Sequence, residues 1–165
     1  MIEIRPQTWL VWLAALLMLI APFTPSWHKI SNNSLEQVRL TGLNMLHTRQ
    51  DPAPGGTIKV IQDEPEYHIL AFCIVASGML FYSSFKGKDR IWQMKLGVVN
   101  TLLIGGALIS IFLAISKGEK WMDPMVFGER QFGFLIPFLA LFLNMFSNRL
   151  IQRDERLVRS MHRMR

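Results

Sequence analysis

The sequence predicts an all-α integral membrane protein, a bundle of four transmembrane helices with both termini in the cytoplasm. Three observations carry this expectation. Half of the 165 residues are hydrophobic and only 18% are charged, against about a quarter charged in soluble domains. Four long apolar stretches divide the chain, and its mean hydropathy is +0.24. The basic residues gather on alternate connections between those stretches. The length allows one domain, and the apolar content excludes a disordered chain. A single cysteine, Cys73, excludes an internal disulfide and a four-cysteine zinc site.

The expected spans are 8–24, 68–85, 92–115 and 132–151. A bilayer core of about 30 Å takes roughly 20 helical residues. The third stretch reaches that length directly, and the others reach it with their aromatic and polar flanks. Lipid offers the backbone no partners, so each span must be helical, and nothing in these stretches alternates as a barrel strand would. A soluble bundle would show one polar face on each helix, and these stretches show none. The first stretch is expected to be retained, because Ala21-Pro22-Phe23-Thr24-Pro25 lacks the small-x-small pattern of a signal cleavage site.

Orientation follows from the positive-inside rule. Arg5, the turn Lys86-Gly87-Lys88-Asp89-Arg90 with Lys95, and the tail Arg149, Arg153, Arg156, Arg159, Arg163 and Arg165 go inside. Lys29, Arg39, Arg49 and Lys59 fall in an outer loop, 25–67, and Lys117, Lys120 and Arg130 in a second one, 116–131. Five acids in the first outer loop offset its basic residues. The tryptophans fit the same layout as headgroup-level rings, with Trp9, Trp12 and Trp92 at the inner edge and Trp27 and Trp121 at the outer one.

The start of the chain (MIEIRPQTWLVWLAALLMLIAPF), the turn between the second and third stretches, and the end (FLIPFLALFLNMFSNRLIQRDERLVRSMHRMR) resemble an uncharacterised bacterial family of small four-span inner-membrane proteins. The most specific part is Arg153-Asp154-Glu155-Arg156-Leu157-Val158-Arg159-Ser160, similar to the family's closing "DEKLVRS" signature, with Arg156 where lysine is expected. The resemblance spans essentially the whole chain. It implies four helices and a Gram-negative inner membrane, and it implies no activity.

No acid, histidine or arginine falls mid-span, and Lys95 lies close enough to the inner edge to snorkel. Proton relays, ion-coupled transporters and voltage sensors need such charges. No carbonyl filter, His-Glu-x-x-His helix or Gly-x-Ser-x-Gly elbow is present. The polar residues within the spans are uncharged. Asn100 and Asn144 fall in the inner half, and each amide needs a partner in hydrocarbon. They are expected to hydrogen-bond between the third and fourth helices or to meet a partner protein. Gly97, Thr101 and Gly105 form one small-residue row on the third helix, and Gly106, Ser110 and Ala114 a second. Such rows let helices approach closely, within the bundle or against another subunit. Pro137 is expected to kink the fourth helix, freeing the carbonyl of Gly133.

The loop 25–67 is long for so small a chain. Alternation around 35–43 and 57–61, with a turn at Asp51-Pro-Ala-Pro-Gly-Gly between, suggests a small β-ribbon. His28, His47 and His68 accompany Asp63, Glu64 and Glu66 there, but their spacing matches no metal motif. No metal, no cofactor and no catalytic residue is therefore assigned. The cytoplasmic tail, 152–165, reads as a basic helix. Arg149, Arg153, Arg156, Arg159 and Arg163 would contact anionic lipid headgroups or an acidic partner. It has no interleaved stacking aromatics, so no nucleic acid is expected.

What remains is a non-catalytic accessory subunit or assembly factor of a larger inner-membrane complex, such as a protein-translocation or respiratory assembly, surrounded by the lipid bilayer and by other membrane-protein subunits. Two alternatives stand beside it: a small oligomeric transporter or channel, and a membrane sensor whose outer loop binds a ligand.

Overall fold

Prolines set the limits of the first helix, α1, Pro6–Ile20. A proline at the first helical position lacks only a donor that would be unpaired anyway. At the other end Pro22 closes the chain into a 3-10 turn, Ala21–Phe23, and the backbone then extends at Thr24. The computed structural model describes residues 6–32, 35–52, 56–86, 89–122 and 125–163, with the side chains of Pro6 and of 159–163 outside that description. Arg5, Lys88 and Arg165, the middle of the Asp51-to-Gly56 turn, and the side chains of Arg159 and Arg163 therefore lie outside the described residues.

Three further helices follow: α2, Tyr67–Phe85, α3, Arg90–Glu119, and α4, Phe132–Arg163. α1 packs on α2 and α4, and α3 packs on the same two, so the four close into a ring in chain order. The basic tail extends α4 as a helix, which runs unbroken through Pro137 to Arg163.

The four-span, all-α expectation is overturned on two counts. Among the described residues three helices, not four, are long and apolar enough to cross a membrane: α2, α3 and α4 as far as Val158. α1 has 15 residues, about 22 Å at 1.5 Å per residue, short of a 30 Å core. The second count is a five-stranded antiparallel sheet. Its strands are β1, Trp27–Ile30, β2, Glu36–Leu40, β3, Asn44–Gln50, β4, Ile58–Pro65, and β5, Glu129–Arg130, in the order β4-β3-β2-β1-β5. The first outer loop is thus a four-strand meander and not a ribbon, and the second outer loop supplies a fifth strand.

Register gives the sheet two different faces. Trp27 pairs with Leu40 and Leu40 with Met45; Lys29 pairs with Val38 and Val38 with His47. These six residues are all buried and face the helix ends. The opposite face carries His28, Arg39 and Leu46 in one row and Gln37 and Thr48 in the next. A bulge between His47 and Thr48 shifts the pairing with β4. The β2–β3 turn sits against the 3-10 turn, where the Gly42 N–H donates to the carbonyl of Pro22 at 2.9 Å. A Cβ on Gly42 would lie 2.5 Å from the Pro22 Cα, so only glycine lets these two backbones meet.

One core runs through both parts. Between the helices it mixes small residues, Ala14, Ala15, Ala76, Ala107 and Ala140, with the larger Met18, Ile69, Leu80 and Ile104, all of them buried. Under the sheet it is built of large ones, Trp27, Leu40 and Met45.

Candidate functional site

The small residues of α3 do three different things. Gly97 faces α4, where a Cβ would overlap the Asn148 amide. Asn144 fills the same seam, its Nδ2 donating to the Gly97 carbonyl and to Thr101 Oγ1, both at 2.9 Å. Thr101 Oγ1 in turn donates to the Gly97 carbonyl at 2.9 Å. Gly106 faces α2, with the Phe72 ring 2.9 Å from where its Cβ would be, and Ser110 and Ala114 are buried. Gly105 meets nothing within 4 Å. The first row therefore divides: four residues advance about 400° around an α-helix, so each step turns 40° further. By Gly105 the row has left α4 and reached the outer surface, beside the exposed Leu102 and Ile109.

Asn100 does not pair with Asn144. It is 1% exposed, and neither side-chain atom has a hydrogen-bond partner. The reason is angular. Asn100 stands about 100° around α3 from Thr101, while Asn144 reaches the edge that carries the Gly97 carbonyl and the Thr101 hydroxyl. Other polar groups in this half of the bundle bond to backbone. Ser147 Oγ donates to the Gln7 carbonyl at 3.2 Å and Ser77 Oγ to the Ala15 carbonyl at 2.9 Å.

Arg149, Arg153 and Arg156 are exposed on α4 at the end remote from the sheet. Trp9, Trp12 and Trp92 are also exposed. The Trp92 ring carries Lys95 Nζ 5.8 Å from its centroid. Trp27 and Trp121 are different. Trp27, expected at a headgroup edge, is 1% exposed, because its strand position turns the indole inward onto the end of α3 at Gly118. Trp121 stacks on the His47 ring, centroids 6.3 Å apart.

The junction of sheet and helices holds charges that spacing alone did not single out. Lys29 is 1% exposed and its Nζ donates to the Glu119 carbonyl at the end of α3, 3.1 Å. Lys117 bonds Glu64 and lies 3.6 Å from Glu66, a carboxylate that is itself buried. His68 Nε2 lies 3.2 Å from the same carboxylate. The Lys117 hydrogen bond holds the Glu64 carboxyl below its ordinary range. Burial lowers the His47 pKa, which the nearby Glu36 carboxylate partly opposes and Arg49 reinforces. Period-two alternation in Trp27-His28-Lys29-Ile30 puts Trp27 and Lys29 on one face, the only sequence signal for this contact. The three histidines stand apart: His28 faces Gln37 at 3.4 Å, His47 lies by Glu36, and His68 by Glu66.

The outer face of the sheet holds an open concavity of about 450 Å³, lined in part by His28, Gln37, Arg39, Leu46, Thr48 and Ile58. No carboxylate lines it, so it offers one guanidinium, two amides and an imidazole over an apolar floor. That donor set suits binding of a small polar or anionic group. It does not pair a nucleophile with a base held by a third residue, which covalent hydrolysis requires.

Compared with known families, residues 4–164 match the one described as "Domain of unknown function (DUF4293)". No curated protein matches the chain.

Proposed function

The chain belongs to the DUF4293 family over nearly its whole length, and on that premise we propose that it is a non-catalytic accessory subunit or assembly factor of a larger bacterial inner-membrane complex. The observation that carries the reading is Gly105. The other glycines of α3 in its two small-residue rows are covered within the chain, by Asn148 and Phe72, whereas Gly105 opens onto free space. It makes a notch in an exposed apolar stripe of Val98, Leu102, Ile109 and Leu113. Lipid tails fill such a notch poorly, and a helix of another subunit fills it well. The interior supports the same reading. Five fully buried alanines contributed by the four helices bring the backbones close together.

The start of α1 and the arginines of α4 share one end, since Ser147 bonds to Gln7. By the positive-inside rule that end is cytoplasmic, and the sheet then stands on the opposite side, in the periplasm. A second reading, a sensor whose outer sheet captures a ligand, is favoured by the concavity around Arg39.

The test is purification of the tagged protein in mild detergent followed by mass spectrometry, beside the variant Gly105→Leu. The proposal expects a stoichiometric membrane partner that Gly105→Leu releases while the variant chain keeps its own thermal stability. Recovery of the protein alone, or a partner held equally by the variant, overturns it.

A further inference from the structure

We propose that the membrane-facing side of the sheet carries a binding site for one anionic phospholipid, with Arg130 as its headgroup ligand. Arg130 lies on β5 directly opposite Trp27. Met45, Leu40 and Trp27 form the inner row of the sheet, so Arg130 ends that row and its side chain points to the bundle side. The backbone on either side is tied down. Gln131 N–H donates to the Ser26 carbonyl and Gly133 N–H to the Pro25 carbonyl, both at 3.0 Å.

The guanidinium packs beside two aromatic rings. It lies 5.1 Å from the Phe134 ring centroid and 5.9 Å from that of Phe112, and those two rings meet edge to face at 5.3 Å. Stacking on a ring leaves the N–H edge of a guanidinium unused. Among the described residues no carboxylate lies within ion-pair distance of Arg130 or of Lys120. An Arg held beside two rings, with no carboxylate partner among the described residues, keeps donors suited to two parallel hydrogen bonds to a phosphate.

The surroundings match an amphiphile and not a simple anion. Arg130 and Lys120 border a concavity of about 690 Å³, whose other walls include Phe112, Ile115 and Met122. Glu119 also lines it and disfavours anions there, so among the described lining residues two cations face one carboxylate. The site lies where the apolar length of α3 ends. Phe127 and Phe132 flank Arg130 in sequence, and each is 82% exposed. Large exposed rings beside a cation, at the end of an apolar helix, fit the boundary between acyl chains and headgroups. This inference rests on the membrane reading above. It concerns the end opposite the α4 arginines, which attract lipid only as a diffuse patch.

The experiment is native mass spectrometry of the protein released from vesicles of equal phosphatidylglycerol and phosphatidylcholine, with flotation of the same vesicles scored first. Flotation tests the membrane reading, and protein that stays in the aqueous fraction sinks that reading. For protein that floats, the expected result is one phosphatidylglycerol retained in preference to phosphatidylcholine. Arg130→Gln and Lys120→Gln should each lower that preference roughly fivefold, as for one cation near a membrane surface. Arg130→Lys should fall between, and Lys59→Gln, on the far edge strand of the sheet, should leave it unchanged. Lys120 is exposed, so its variant remains informative if Arg130→Gln fails to fold. Equal retention of the two lipids, or an unchanged preference in Lys120→Gln, overturns the proposal. So does displacement of the lipid by millimolar inorganic phosphate, which would make this a phosphate site and not a lipid site.

Discussion

Asn144 Nδ2 reaches across from α4 to the backbone carbonyl of Gly97 at 2.9 Å, and its second hydrogen finds Thr101 Oγ1 at the same distance. Replacing Asn144 with leucine removes both bonds and crowds the seam. The expected cost is about 1–2 kcal/mol, in the upper range for interhelical bonds in membranes. Asn100→Leu should do the opposite. That amide is buried with nothing to bond, and an apolar replacement of similar volume relieves a desolvation cost of about 1–3 kcal/mol. Thermal unfolding of the two variants in one detergent checks both, and equal shifts of the same sign would contradict the assignment.

The glycines should rank by what surrounds them. Gly42→Ala meets the Pro22 backbone at 2.5 Å, which has no way to move, and should be the most damaging. Gly97→Ala meets the end of the Asn148 side chain, which is half-buried and gives way, so about 1–3 kcal/mol is expected. Gly105→Ala meets nothing and should stabilise α3 by up to about 1 kcal/mol through helix propensity. Melting temperatures of the three alanine variants decide the order.

Stability should fall on acidification through His47. Its folded-state pKa lies below the ordinary 6.5 because burial disfavours the charged ring. The unfolded chain therefore takes up the proton first. The contribution is fully present above pH 6.5 and is lost as pH falls below it, toward the folded-state value. His47→Phe keeps a ring against Trp121 and removes the proton. The difference in melting temperature between pH 7.5 and 5.5 should be smaller for this variant than for the unaltered protein.

Lys117 should matter because of Glu66. That carboxylate is buried, one of its oxygens lacks a hydrogen-bond partner, and Lys117 and His68 are the basic side chains beside it. Lys117→Met should lower the melting temperature at neutral pH, and adding Glu66→Gln should recover part of the loss by removing the stranded charge. A double variant no better than the single one would assign the effect to Glu64 instead. The Glu64 pKa is depressed below 4.5 by Lys117, so its contribution is present above pH 4.5 and lost as pH falls through the folded value.

The bundle was legible in the residues and the sheet largely was not. Runs such as Leu102-Leu103-Ile104-Gly105-Gly106-Ala107-Leu108-Ile109 have no polar side, so length and composition are enough to mark α3 as a helix long and apolar enough to cross a membrane. The strands are four to eight residues long where they pair fully, and Asn44-Met45-Leu46-His47-Thr48-Arg49-Gln50 alternates too weakly to stand out. β5 has two residues and exists only because β1 is there to pair with it. The seam residues Gly97 and Asn144 were found by type and depth. Their partners were not, because a 40° drift per four residues decides which of Thr101 and Gly105 still faces α4.

The amino-acid sequence alone thus determined that long apolar stretches form helices, reading four spans where three of the described helices are long and apolar enough to cross a membrane, and that arginines gather at one end. Those are sums over residues, and transfer free energy adds along the chain whatever the fold. The tertiary structure decided which glycine is covered and which is open, which tryptophan is buried, and that Arg130 stands on Phe112 and Phe134. These depend on register and crossing, set by contacts between residues far apart in the chain, and no local window of sequence contains them.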